Sequence, residues 1–341
     1  MTPQISLVLA AGLATLWTAP VHASTLTAPS FEPRIVINEN DGADGARALG
    51  APFDGVVQLR FGSADQKYCS GTLIAPGAVL TARHCIDIYR SDGTFSFTVQ
   101  SRDLKVGFTD PDGGNITRVG VSAIQRFTAD LPEFDRGAFF NGSDLALLFL
   151  STPVPDRTPF AFVTDPRPGE VGLMVGYGAH GVAREGAPTD RSATYQGERW
   201  GALNTMDLVG PSSIFGGPAP DFTVSGDNSL IYSDFDAPSG TVNSLGLVSD
   251  PAMIEGEGTT APGDSGGPLL VQRDGVWLLA GILTGGSVFS DSTWITYGDV
   301  SVWTGITSDP ARAFVLSGGG VLYGGPAAII PLPPSGGLLL G

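Results

Sequence analysis

Ser265 lies in Gly263-Asp264-Ser265-Gly266-Gly267-Pro268, a setting that could give its hydroxyl a chemical use. A serine hydroxyl attacks a carbonyl only when a base takes its proton and nearby donors stabilise the resulting oxyanion. Flanking glycines let a carbonyl come close to the backbone and let adjacent N–H groups converge on one point. The base must come from elsewhere, and the chain has three histidines, His22, His84 and His180. His22 falls in a segment that reads as removed on export. His180 lies in Tyr177-Gly178-Ala179-His180-Gly181, a glycine-flanked turn, and reads as a surface residue. His84 follows the strand-like run Ala78-Val79-Leu80 in Thr81-Ala82-Arg83-His84-Cys85 and is the expected base. Ser143-Asp144-Leu145 opens another apolar run, which makes Asp144 the candidate acid to orient that imidazole.

The order of these groups separates competing architectures. Gly263-x-Ser265-x-Gly267 also fits the nucleophile elbow of α/β-hydrolases, which place their histidine after the serine. No histidine follows Ser265, and parallel βαβ periodicity is missing. An Asp-His-Ser order would need an aspartate before His84, and the Ser143-Asp144-Leu145 context argues against it.

The three motifs, in the order His, Asp, Ser, resemble the trypsin-like (chymotrypsin-fold) serine peptidases. In that family TAAHC, DIALL and GDSGGP carry base, orienting acid and nucleophile; here the first two read TARHC and DLALL. The resemblance spans residues 35–315 and implies a triad of His84, Asp144 and Ser265. It also implies an oxyanion hole formed by the backbone N–H groups of Gly263 and Ser265. By the same resemblance Thr259, six residues before the nucleophile, marks the base of the S1 pocket and is followed by Thr260. Thr259 cannot supply the charge a tryptic pocket needs, so no strong Arg/Lys preference is expected unless an acid from the Ser287–Thr293 loop enters the pocket. Thr284-Gly285-Gly286 matches the family's substrate-pairing edge strand, with Gly286 leaving the pocket mouth open and Gly285 standing where an aromatic is usual. Cleavage between Arg34 and Ile35 would free an amine to pair with Asp264, although Ile35-Val36-Ile37-Asn38 lacks the two glycines of the family's activation sequence. An ordinary strand is the alternative for that stretch. Function is thereby expected to be that of a secreted serine endopeptidase acting on polypeptides. A non-catalytic binding module of the same fold and an esterase are the alternatives.

Composition fits this reading. The chain has 341 residues with 48 Gly, 26 Pro and 18 Phe, which favours many short strands joined by turns. Its net charge of −16 argues against nucleic-acid binding, which needs clustered Lys and Arg. Residues 1–23 hold an apolar run and end in Val21-His22-Ala23, a small-x-small cleavage pattern, so they read as a secretory signal. Export, to the periplasm, the cell surface or the medium, makes the two cysteines, Cys69 and Cys85, a disulfide. In the resembled family the equivalent pair staples the loop beneath the catalytic histidine. No metal or cofactor is called for: no HExxH or paired CxxC occurs.

The expected fold is all-β, two packed six-stranded antiparallel barrels with the active site in the cleft between them. Residues 24–34 form a short polar segment, 35–158 the barrel carrying His84 and Asp144, and 159–317 the barrel carrying Ser265. Asp274-Gly275 signals a hairpin between Leu269–Gln272 and Val276–Leu283. The polar region 182–244, broken by Trp200 to Val209, reads as insertions on the cleft rim. Residues 318–341 read as a disordered Gly/Pro/Leu tail resembling a truncated bacterial VPLPA/PEP-type sorting signal, its apolar run too short to span a bilayer. Asp110 to Asn115 reads as a turn rather than a calcium loop, and Asn115 and Asn141 head glycosylation sequons.

Overall fold

The structure is a computed structural model that describes residues 35–89, 95–110, 114–127, 142–184, 187–190, 198–210, 228–287 and 295–325. The expected signal segment, the 24–34 stretch with Arg34, Asn141 and the end of the tail lie outside the described residues. Among the described residues no helix is long and apolar enough to cross a membrane.

Strands dominate. In chain order they begin with β1 (Ile35–Ile37), helix α1 (Gly42–Gly50), β2 (Val56–Phe61), β3 (Gln66–Ala75) and β4 (Ala78–Thr81). A 3₁₀ turn at Arg83–Cys85 leads to β5 (Asp87–Tyr89), β6 (Phe95–Thr98), β7 (Leu104–Thr109), β8 (Ile116–Arg126) and β9 (Ala146–Leu150). The second half holds β10 (Val171–Gly176), β11 (His180–Arg184), β12 (Ala187–Asp190), β13 (Trp200–Thr205), β14 (Leu208–Gly210) and β15 (Leu230–Asp234). It ends with β16 (Gly258–Thr259), β17 (Pro268–Arg273), β18 (Val276–Ser287), β19 (Val300–Gly305) and helix α2 (Asp309–Ser317).

Six strands close into a barrel in the order β2-β3-β4-β9-β8-β7. The expected six-stranded first barrel is therefore present. Its closure leaves no exposed strand edge, and its interior is filled by Val57, Leu59, Leu73, Val79, Val106 and Leu148, each shielded from solvent. The second half departs from the expected count: it is a seven-stranded sheet ordered β13-β10-β17-β18-β19-β15-β14. Its two edge strands, β13 and β14, are separated in sequence only by Met206 and Asp207. So short a link brings the opposite edges together, and the sheet must curl on itself. Asn204 at one edge donates to the Asp234 carbonyl near the other, 2.8 Å away. The hairpin at Asp274-Gly275 forms as expected, with φ of 51° and 78°, the left-handed pair of a type I′ turn.

Three elements depart from the sequence reading. β15 lies inside the region read as polar insertion, yet all five of its residues are buried between β14 and β19. Of the strand-like sequence run Trp294 to Val302, residues 296–299 fold into a turn in which the Asp299 carboxylate accepts from the Thr296 N–H, and the last strand starts at Val300. Residues 318–325 are not a free tail: the Phe162 N–H donates to the Val321 carbonyl and the Tyr323 N–H to the Phe162 carbonyl, both at 2.9 Å.

The chain ends strap the halves across each other. β1 pairs with β11 and β16 of the second half, and α1 packs its Gly50 against the Arg199-Trp200 backbone. In the other direction α2 buries Ala311, Phe314 and Val315 in the core of the first barrel. Ser308 caps that helix by accepting from the Ala311 N–H. The halves also meet directly where residues 263–267 lie on β3 and the end of β4. The Ser70 N–H donates to the Ser265 carbonyl at 2.8 Å, and the Ser70 hydroxyl donates to the Gly263 carbonyl at 3.1 Å.

Gly266 sits at this seam with φ of 81°, and a Cβ there would collide with Thr81 Oγ1 and the Ser70 carbonyl. Both the backbone conformation and the close approach demand glycine. Gly266→Ala is expected to lower unfolding stability by about 2 kcal/mol or more, measured by urea denaturation. An unchanged midpoint would contradict this packing.

Candidate active site

His84 is presented by the 3₁₀ turn that follows β4. That turn is held by a buried charge cluster. Arg83 Nε lies 3.0 Å from Asp87 Oδ2, Arg126 Nε lies 3.0 Å from Asp87 Oδ1, and the Thr98 hydroxyl donates to the same oxygen. Arg83, the residue by which TARHC departs from TAAHC, thus ties the turn to the strands beside it. The Cys69–Cys85 disulfide pins the next residue to β3, and the Tyr68 hydroxyl donates to the Cys85 carbonyl at 2.9 Å. Closing a loop with a sequence separation of 16 contributes about 3 kcal/mol through the unfolded state.

Asp144 precedes β9, which pairs with β4 in register Thr81↔Ala146. That pairing brings the aspartate under the histidine. Its carboxylate is fully buried and receives two donors from one residue. The His84 backbone N–H reaches Oδ1 at 2.9 Å, and His84 Nδ1 lies 2.7 Å from Oδ2. A buried carboxylate needs such partners. With Nδ1 as the donor, the imidazole is held in the tautomer whose Nε2 carries the lone pair that accepts a proton.

Ser265 sits on the turn between β16 and β17, partly exposed. Its carbonyl is fixed by Ser70, one residue from Cys69. Gly266, next to it, packs on Thr81 and Ala82, two residues before His84. The serine turn and the histidine turn are therefore docked on the same two strands. Gly263 takes φ of 93°, a conformation that favours glycine, and the turn closes through the Gly267 N–H donating to the Asp264 carbonyl at 2.7 Å.

Asp264 points the other way, into the second half. Its Oδ1 accepts from the Gly178 N–H at 2.7 Å and its Oδ2 from the Ala261 N–H at 3.1 Å. A Cβ on Gly176 or Gly178 would run into the carboxyl, so the Gly176-Tyr177-Gly178 run is the cradle of this acid. Burial pushes Asp264 up to about 7; the two amide donors and, more weakly, the Lys67 ammonium pull the other way. Ile35 is buried and in register with His180, two residues past Gly178. β1 is hydrogen-bonded on both sides as a strand, so Ile37 opposes Gly258 where the family's activation sequence has glycine.

The expected pocket residues come together. Thr259 is buried on β16, Thr260 is partly exposed, and both hydroxyls reach Ser301 Oγ on β19, at 2.8 Å and 2.7 Å. Ser301 lies directly opposite Gly286 in the β18–β19 ladder. Thr284 is buried, its hydroxyl 2.6 Å from that of Thr304. The pairing of β17 with β18 ends at Ile282, so among the described residues Thr284-Gly285-Gly286 has a strand partner on one edge only.

His180 is the residue the sequence misjudged: it is 4% exposed and its ring stacks on Trp200 at 4.1 Å. Ser70, Asp87 and Ser301 support the site and carry no motif; only their positions in the strand register reveal them. Cys69, His84 and Cys85 gather their ligand atoms within 4.8 Å, but the disulfide removes both thiolates, leaving no donor set for a metal.

A curated protein of Corynebacterium glutamicum named "Putative peptidase" is 25% identical over 232 residues. The match covers 68% of this chain and 57% of that protein's length. The family model for the trypsin-like peptidase domain matches residues 69–282, more than half of the chain, from the first disulfide cysteine past the serine turn. This chain belongs to the trypsin-like peptidase domain family.

Proposed function

We propose that the protein is an exported serine endopeptidase that cleaves peptide bonds through an acyl-enzyme on Ser265. The observation that carries this reading is the fully buried Asp144 carboxylate held by the ring and the backbone of His84. In this role His84 takes the Ser265 proton as Oγ attacks the substrate carbonyl. Asp144 stays ionised and stabilises the imidazolium. The Gly263 and Ser265 N–H groups receive the oxyanion; losing one such donor typically costs on the order of 3 kcal/mol. The imidazolium then protonates the leaving amine, and water, deprotonated by the same histidine, releases the acyl group. An extended substrate adds to the free edge of Thr284-Gly285-Gly286 by main-chain hydrogen bonds. Among the described residues no charged side chain joins Thr259, Thr260 and Ser301 in their hydrogen-bonded group, which favours a pocket without tryptic preference.

A fluorophosphonate probe tests the nucleophile. Labelling of the protein, lost in Ser265→Ala, is the expected result. Asp144→Asn should lower kcat about ten-thousand-fold while the fold persists. Absence of labelling in folded protein favours a binding module, and turnover of esters without peptides favours an esterase.

Maturation before Ile35 belongs to the same proposal. Among the described residues Asp264 is a buried acid held by two amide donors, with the Lys67 ammonium a weaker influence, and the Ile35 amine, once freed, would give it a cation. In protein uncut at Arg34, Asp264 stays protonated in the folded state up to about pH 7 but only to about 4 when unfolded. Its contribution to stability is full below pH 4 and is lost as pH rises through 7. With an ammonium beside it the acid ionises and this loss disappears. Asp236 and Glu257, which burial also raises, to about 8 and about 7, act alike in both forms. The cut form is therefore expected to gain stability over the uncut form between pH 4 and pH 7 in thermal melts, and to begin at Ile35 when active. Full activity in protein that retains Ser24 to Arg34 would contradict maturation at this site.

A further inference from the structure

The three hydroxyls at the expected floor of the pocket form a chain with a direction. Ser301 Oγ accepts the Thr260 backbone N–H at 3.0 Å, which leaves it one lone pair and one proton. Thr259 Oγ1 and Thr260 Oγ1 both lie within hydrogen-bond reach of that oxygen, at 2.8 Å and 2.7 Å. Thr259 is 1% exposed, and among the described residues its hydroxyl has no acceptor except Ser301. If Thr259 did not donate to Ser301, a buried proton would be left unpaired, the unfavourable arrangement. Thr259 therefore donates to Ser301, whose accepting capacity is then full. Ser301 must donate to Thr260. Among the described residues the Thr260 proton has no acceptor, and Thr260 is the partly exposed end of the chain. Each link polarises the next, which strengthens the last donor.

We infer that Thr260 presents a single directed O–H donor to the P1 side chain, and that the enzyme prefers a neutral side chain with a carbonyl acceptor, glutamine or asparagine. This rests on the endopeptidase reading above. Arg or Lys would bring a desolvated cation and further donors to a site that already offers a donor and no carboxylate within the hydroxyl chain. Glu or Asp would bring a full charge to a single neutral donor, in a protein whose net charge is −16. A purely apolar P1 residue would leave the Thr260 proton unpaired. The amide oxygen satisfies it without placing a charge in the pocket. Gly286, opposite Ser301, adds no side chain to narrow the entrance.

The test is cleavage profiling with a peptide library of varied P1, using protein shown to react with a fluorophosphonate. Wild type is expected to cleave after Gln or Asn about tenfold or more faster, in kcat/KM, than after Arg, Lys, Glu or Phe. Thr260→Val keeps the shape and removes the donor. It should lower the Gln-to-Ala ratio of kcat/KM about tenfold, and Thr260→Ser should restore it. Thermal melts of both variants exclude loss of fold as the cause. A labelled enzyme that prefers charged or apolar P1 residues, or a Gln-to-Ala ratio unmoved by Thr260→Val, overturns this inference and leaves the endopeptidase reading intact. Protein that neither reacts with the probe nor cuts any library member overturns both.

Discussion

A buried carboxylate held by a single histidine is the constraint on which the site depends. Asp144 is fully enclosed and accepts from His84 twice, once from the ring and once from the backbone. Removing a charge from water is costly unless the lost hydrogen bonds are replaced. The aspartate therefore holds the imidazole's position and its tautomer together. The disulfide, the Arg83–Asp87–Arg126 cluster and the β4–β9 register all hold the histidine turn over that acid. Their common effect is a ring whose second nitrogen is left to accept a proton.

The second requirement is that a serine from the other half arrive at that ring. The closed barrel and the curled seven-stranded sheet could slide against each other if only side chains joined them. Several devices prevent this. The first strand and helix of the described chain pack on the second half, and the last helix packs in the barrel. Ser70 binds the serine turn through two carbonyls and receives the Tyr177 N–H at its own hydroxyl. Gly266 brings the backbones closer than any side chain would permit. Glycines at 263 and 266 thus serve the docking of the turn as well as access to the serine.

Much of this was legible in the sequence, and the rest was hidden for identifiable reasons. Local chemistry was readable: Asp274-Gly275 demands left-handed backbone and makes the hairpin, and the closely spaced motifs around His84, Asp144 and Ser265 mark the turns that carry them. The barrel strands were visible as short apolar runs between turns. β15 was hidden because only five residues enter the sheet, next to polar segments that stay outside it. Helix α1, Gly-Ala-Asp-Gly-Ala-Arg-Ala-Leu-Gly, has weak intrinsic preference and exists because Ala46 and Gly50 are buried. Helix α2 was not part of the sequence reading, although Ser308-Asp309-Pro310 carries the chemistry of its cap. His180 looked like a surface turn residue because nothing local announces that Trp200, twenty residues on, covers it. Ser301 could not be found at all: its partners, Thr259 and Thr260, are more than forty residues away in sequence and meet it only through strand register.

The most direct measurement is a crystal structure of the protein reacted with a peptidyl boronate. The account predicts a covalent bond from boron to Ser265 Oγ, a boronate oxygen on the Gly263 and Ser265 N–H groups, and His84 Nε2 within hydrogen-bond distance of the adduct. A boronate bound at another residue, or an imidazole turned away with Asp144 released from it, would contradict the account.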